Sequence, residues 1–360
     1  MSLEATAFSE INESEWNGFC LNSSNAWFQH TTFWIKYALN MGLDNDSIDC
    51  SFGVYENNKL ICVVPLIENN IKCGKKLKVL SFFDWNTPYL AFSDNLSPAK
   101  TKKVEKFIFS RIMEIQGVDY VNYYVCPLTD MILQKKTIVN PLCRFEFHDT
   151  SISTNIISLG KNKKALFSKI RKGHKADIKT ALKSDCQVEI IDADNISAKL
   201  FNEYRNVHFK AAGRQTRPDI TWEMMEDWIR KGFSVLALCK KDGVYVSAAL
   251  VNTYKHKAYY LSGATIPEYE RERGIGHLMQ WEIIKYLKSK GFTHYELGWN
   301  WYPNISQEVA DGKMLGISRF KAGFGGDIYP LFRGEYFVSE TYMTEAYNER
   351  LKKFLNACQR

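Results

Sequence analysis

Apolar positions along this chain follow two periods, and the switches between them outline the elements. Ser51 to Tyr55, Leu60 to Pro65 and Lys76 to Phe83 read as strands, the first two joined by the polar break Glu56-Asn57-Asn58-Lys59. Val104, Phe107, Ile108, Ile112, Met113 and Ile115 then recur at helical spacing before a strand at Tyr120 to Val125. The same order returns later. Ser234 to Cys239, the turn Lys240-Lys241-Asp242-Gly243, Val244 to Tyr254 and Ala258 to Ser262 predict a meander. A helix follows, with Ile275, Leu278, Met279, Ile283, Tyr286 and Leu287 on its apolar face, ended by Lys290-Gly291 and followed by a strand at Thr293 to Gly298. Repetition of element order predicts an α+β (mixed α/β) chain of two tandem domains, 1–150 and 151–360, each a mostly antiparallel sheet flanked by helices. At 360 residues the chain is also too long for one core of usual size.

Between the halves, residues 161 to 183 place Leu166, Ile170, His174, Ile178 and Leu182 at four-residue steps, with Gly173 as a soft point. The opposite face is basic. This stretch holds nine Lys or Arg against one Asp, a net of +8, so the rest of the +7 chain sums to 7 − 8 = −1. Such local basicity predicts a polyanion near one face and argues against a DNA-coating protein. Helices over Ile196 to Ala212 and Trp222 to Lys231 flank the loop Gly213 to Pro218, whose Arg214 and Arg217 offer planar forks for carboxylate or phosphate. An ordinary helix connection explains the loop as well. Residues 340 to 358 close the chain as an amphipathic helix.

Composition narrows the class further. Hydrophobic content of 45% with 24% charged residues is that of a globular protein. No apolar run approaches the length of a membrane span, and the acidic N-terminal stretch lacks the order of a signal peptide, so a cytoplasmic protein is expected, with peripheral membrane contact allowed. Nine scattered cysteines, without a Cys-x-x-Cys pair or ligand spacing to histidine, predict reduced thiols and no metal site.

The stretch Arg271-Glu272-Arg273-Gly274-Ile275-Gly276-His277, between the predicted strand and helix, would turn the backbone so that the first helical N–H groups face one spot, a favourable place for phosphate. Its Arg-x-x-Gly-x-Gly spacing resembles the acyl-CoA pyrophosphate loop of the GNAT acyltransferase superfamily. Downstream, Phe320-Lys321-Ala322-Gly323-Phe324-Gly325-Gly326 resembles the Phe-Lys-x-Gly-Phe-Gly-Gly signature of FemAB-like transferases, the GNAT relatives that pass acyl or aminoacyl groups onto amines of envelope precursors. The basic run from Ser168 to Lys179 is similar to the helix opening their second domain, and Phe28 to Trp34 approximates a segment near their start.

The resemblance implies two GNAT-like domains, the first degenerate, and a set of site residues. Phe320 and Lys321 fall on the signature pair beside donor and acceptor. Arg271, Arg273, Gly274, Ile275, Gly276, His277 and Asn300 would hold the cofactor. Lys36, near where the family places a substrate-phosphate lysine, would contact the acceptor, with a surface lysine as the alternative; Arg171, Lys172, Tyr259 and Trp299, together with the loop arginines Arg214 and Arg217 read from their own chemistry, complete the acceptor set. Two strands that splay apart in the superfamily place Tyr259, Tyr260, Glu296, Trp299 and Asn300 at the reaction centre. Glu296 is the only carboxylate on those strands, which makes it the candidate general base, with a structural salt bridge as the alternative; Tyr260 is a further catalytic candidate. The glycines at 323, 325 and 326 suggest a backbone shaped to position Lys321. The loop favours acyl-CoA, acetyl-CoA first, as donor to an amine of an amino sugar, nucleotide sugar or lipid-linked precursor. Aminoacyl-tRNA is the alternative donor, and a non-catalytic binding protein the third reading.

Overall fold

The computed structural model describes the chain apart from residues 1, 43–46, 74, 83–84, 304–307 and 359–360; Phe83, the end of one expected strand, lies outside the described residues. The chain separates into two compact units. The first contains Met1–Ser153, Trp301–Leu315 and Tyr329–Arg360, and the second Thr154–Asn300 and Gly316–Ile328. The expected division into 1–150 and 151–360 therefore differs from the observed one in its C-terminal part. The reason is strand pairing: Arg333–Phe337 lies antiparallel to Tyr120–Tyr124, which carries the late chain into the first unit's sheet.

In the first unit, one sheet orders the strands Glu4–Ala7, Phe52–Glu56, Lys59–Val64 and Ala91–Phe92. A second sheet runs from His148–Asp149 through Arg333–Phe337, Tyr120–Tyr124, Lys75–Leu80 and Ile67–Cys73 to Ile48–Asp49. The helix Pro98–Met113 starts where Ser97 accepts a hydrogen bond from the Lys100 N–H and Pro98 takes the first helical position. Its Val104, Ile108 and Ile112 are buried in one cluster with Val121 and Tyr123 of the sheet. The closing helix Glu340–Cys358 forms as expected, yet none of its described residues is buried, and Leu351 and Phe354 of its apolar side face solvent.

The second unit is built on one seven-stranded sheet. Its strands in chain order are β1 (Ile152–Ser158), β2 (Cys186–Ile191), β3 (Ser234–Lys241), β4 (Val244–Tyr254), β5 (Lys257–Thr265), β6 (His294–Asn300) and β7 (Asp327–Leu331), and their order in the sheet is β2-β3-β4-β5-β6-β1-β7. The meander β2 to β5 is antiparallel, whereas β5 and β6 are parallel. Its helices are α1 (Lys163–Lys169), α2 (Lys172–Lys183), α3 (Ala198–Ala212), α4 (Asp219–Arg230), α5 (Ile275–Ser289) and α6 (Gly312–Ala322). Ile275, Leu278, Met279, Ile283, Ile284 and Leu287 of α5 are buried in one cluster with Ile178 and Ala181 of α2, each large apolar side chain stabilising the fold by roughly 1.5–3 kcal/mol.

The basic stretch is two helices rather than one. Asn162 caps α1 through the Ala165 N–H, and Ile170 takes an extended conformation that ends it. Within α2, four-residue steps overshoot the 3.6-residue turn, so the apolar face drifts along the series. Leu166, Ile170, His174 and Ile178 are buried as the spacing predicts, but Leu182 is 59% exposed and Ala181 takes its place in the core.

The glycines after Lys321 combine tight packing with a turned backbone, φ being +81° at Gly325. A Cβ on Gly323 would lie 2.1 Å from the His174 ring, and one on Gly325 would lie 3.1 Å from the Lys169 backbone. At Gly326, φ is +98° and a Cβ would approach the Ile156 carbonyl oxygen to 2.6 Å. Gly326→Ala is expected to cost roughly 1–3 kcal/mol through strain and overpacking, read as a lower melting temperature by circular dichroism. Gly316→Ala, at a helical position with nothing within 4 Å, should melt no lower than the parent. Equal melting of all three proteins would refute this packing account.

Candidate active site

Strands β5 and β6 pair at Lys257–His294, Ala258–Tyr295 and Tyr259–Glu296, and the pairing stops there. Beyond that point the strands separate, as the resemblance implied. Glu296 sits at the fork, 2% exposed, its Oε1 accepting a hydrogen bond from Thr154 Oγ1 of β1 at 2.9 Å. Tyr295 and Leu297 on the opposite face are buried as well, so both faces of β6 are covered.

The last turn of α6 delivers Lys321 to the same place. Gly298, at φ +89° inside β6, has no side chain, and its ideal Cβ position lies 3.0 Å from Lys321 Nζ and 3.9 Å from the Tyr259 ring. A larger residue would displace the ammonium. Sequence reading passed over Gly298, although a glycine inside a strand is a known sign of close approach. It also missed Thr154, for which no sequence signal exists.

Electrostatics join the two charged groups. Burial pushes the Glu296 carboxyl up to about 7, while the Thr154 hydrogen bond and the Lys321 charge act the other way. Burial pulls the Lys321 ammonium down to about 8, opposed by Glu296. A carboxylate near 7 can take a proton from an incoming ammonium, and an ammonium near 8 is still charged when an oxyanion forms. The two groups titrate as a pair.

Phe320 and Lys321 are anchored from behind by α2. The His174 ring bonds through Nε2 to the Phe320 carbonyl at 2.9 Å and through Nδ1 to Arg171 Nη2 at 3.2 Å, and the Arg171 N–H donates to the Gly323 carbonyl at 2.8 Å. His174, Asp177 and His277 lie close enough together to suggest a metal site. Both His174 nitrogens are already committed to these hydrogen bonds, so the cluster does not present the ligand set of a metal centre.

The glycine loop differs from its expected form. Of its residues, Gly274 has positive φ, and its Cβ would fall 2.2 Å from the Asp177 carbonyl oxygen, so the start of α5 is backed by α2. Gly276 is helical and lies near Phe320, and Ile275 is a core residue. Arg273 Nε bonds to Asp177 Oδ1, and His277 Nε2 lies 3.6 Å from Asp177 Oδ2. Burial, with His174 beside it, pushes His277 down to about 4. The anion beside this helix N-terminus is thus a carboxylate of the chain itself. Arg271 is exposed.

Other expected site residues are placed as follows. Tyr260 hydrogen-bonds with Gln280 of α5, whose Oε1 accepts from Tyr295 Oη at 2.8 Å, and burial pushes the Tyr260 hydroxyl up to about 12. Asn300 is buried, and its Oδ1 accepts from Asn155 Nδ2 at 2.8 Å. Trp299 is half-buried near the end of β6, and Lys172 is exposed at the start of α2. Arg217 packs 4.6 Å from the Trp222 ring centre with Nη1 on Met225 Sδ, whereas Arg214 is exposed and lines a cleft of about 410 Å³ with Asn202, Arg205, Asn206 and Trp222. Lys36, in the first unit, pairs with Glu13 at 2.5 Å.

Residues 168–307 match a family model described as an acetyltransferase (GNAT) domain. A stretch of 97 residues is 34% identical to the lipid II:glycine glycyltransferase of Staphylococcus epidermidis, covering 27% of this chain and 22% of that protein. The enzyme of the same name from Staphylococcus haemolyticus is 26% identical over 142 residues, 39% of this chain and 32% of that one. The chain thus spans a third or less of the length of these curated relatives. In fold it is similar to the crystal structure of FemX, with a TM-score of 0.66 at 17% identity over 96% of this chain and 99% of that one. It is also similar to a tandem GNAT protein from the clavulanic acid biosynthesis pathway, with a TM-score of 0.53 at 9% identity over 93% and 98%. The class so defined is the GNAT fold. Within it, the chain is similar in fold to FemX.

The paired groups give a checkable pH dependence. Turnover is expected to rise as Glu296 loses its proton through about 7 and to fall as Lys321 loses its own through about 8, leaving a narrow maximum between. Glu296→Gln should lose the acidic limb of a kcat/KM profile; a variant keeping that limb would remove Glu296 as the base.

Proposed function

We propose that this chain transfers an aminoacyl group from a charged tRNA to an amine of a lipid-linked cell-envelope precursor. The observation that carries this reading is the coupling of the buried Glu296 to the half-buried Lys321 of the Phe-Lys signature where β5 and β6 part. In this reading Glu296 takes the proton of the acceptor ammonium. The freed amine attacks the ester carbonyl, and Lys321 stabilises the oxyanion. Collapse forms the amide and expels the ribose oxygen, which takes the proton shed by the attacking nitrogen. Two glycyltransferase relatives whose names specify lipid II support the acceptor class.

Acyl-CoA is the second reading, favoured by the match of residues 168–307 to an acetyltransferase model. Against it stands Arg273, one of the two arginines expected on the donor pyrophosphate, which is engaged by Asp177. Calorimetry with CoA separates the two.

The direct test incubates the protein with glycyl-tRNA and lipid II and reads the mass of the acceptor. A gain of one aminoacyl residue is expected; a gain only with acetyl-CoA would transfer the assignment to the second reading, and no gain with either would leave a binding protein. Lys321→Met keeps the aliphatic stem and removes the charge. Its kcat should fall about 10²-fold or more with little change in donor affinity, the pattern of an interaction made mainly in the transition state. Normal turnover in that variant would leave Lys321 a structural residue.

A further inference from the structure

The basic face of α1 and α2 is unusual for a solvated helix surface. On α2, Lys172, Lys175, Lys179 and Lys183 form one stripe about 16 Å long at 1.5 Å rise per residue. His174, Ile178 and Ala181 occupy the opposite, buried face. Five more cations lie on or beside α1, and none of the nine makes an ion pair among the described residues. The one acid of the stretch, Asp177, is taken by Arg273. Crowding is visible at Lys161, whose ammonium Lys169 pulls below its ordinary value, with Asp327 offsetting part of this.

A surface of like charges at helical neighbour spacing destabilises the free protein and is relieved by a partner carrying anions in a row. Position indicates which partner. The stripe begins at Arg171 and Lys172, where α2 holds the Phe320 and Gly323 carbonyls, so its end abuts the segment bearing Lys321. A donor whose reactive ester ends a phosphodiester chain brings phosphates to that place. A bilayer fits less well, because a helix lying on lipid presents its apolar face to the membrane, and the apolar face of α2 is spent on α5. Among the described residues between 161 and 183, Leu182 is the only large hydrophobic one exposed.

We infer that the lysine stripe of α2, continued by the cations of α1, is a docking surface for the phosphodiester backbone of an RNA donor. The identity of that RNA rests on the aminoacyl-transfer reading; the existence of the surface does not. The test uses the full chain and a fluorescent, uncharged RNA hairpin with a single-stranded 3′ tail, read by anisotropy between about 50 and 200 mM salt. The wild type should bind with a steep salt dependence. Lys175→Gln/Lys179→Gln/Lys183→Gln should bind more weakly, its log–log salt slope shallower by about 2 to 3, because each phosphate left without its lysine removes about 0.7 to 0.9 from the slope. Replacing the same three residues with arginine should preserve binding, and weak binding there would mean that charge is not the cause. Wild-type affinity and slope in the glutamine variant would overturn the inference. So would loss of binding to phosphatidylglycerol vesicles with RNA binding intact, which would mark a membrane surface. Because the hairpin carries no amino acid and no turnover is read, this result stands or falls separately from the transfer assay.

Discussion

Everything distinctive about the second unit follows from placing an acid and a base of opposite charge where water is scarce. Glu296 and Lys321 come from two successive elements, β6 and α6, and neither charge is retained for stability alone, because desolvation opposes each. Their environment is built to tolerate the cost. Thr154 donates to the carboxylate, Gly298 vacates the volume the ammonium enters, and His174 fixes the backbone from which Lys321 projects. The parting of β5 and β6 supplies the location.

Much of the fold was readable because periodicity reports burial directly. The meander and the limits of the helix starting at Ile275 follow from alternation and a lysine-glycine stop. What could not be read depends on which element lies behind a residue. Leu182 belongs to a regular four-residue series, and the drift of such steps against 3.6 residues per turn carries it outward. The glycines of the Phe-Lys signature look like conformational devices in one dimension, and in three they are also clearances for His174, Lys169 and Ile156. Tyr259 and Tyr260 are neighbours in sequence, and strand alternation separates their roles.

The start of α5 shows how a shared fold can be put to different use. A glycine turn before a helix is an anion site by geometry. In this chain the loop arginine and His277 gather around Asp177, so the motif joins two helices of the unit. Motif spacing and motif use are separate facts, and the second is visible only when neighbouring elements are known.

The return of the chain to its first sheet has a consequence for synthesis. Arg333–Phe337 lies between His148–Asp149 and Tyr120–Tyr124, and Tyr120 reaches Glu335 across 215 positions of sequence. A ribosome releases the entire second unit before that strand emerges. The first unit to begin is therefore the last to finish, its sheet left with an open edge on Tyr120–Tyr124 throughout the interval. For this molecule, order of translation and order of completion run in opposite directions.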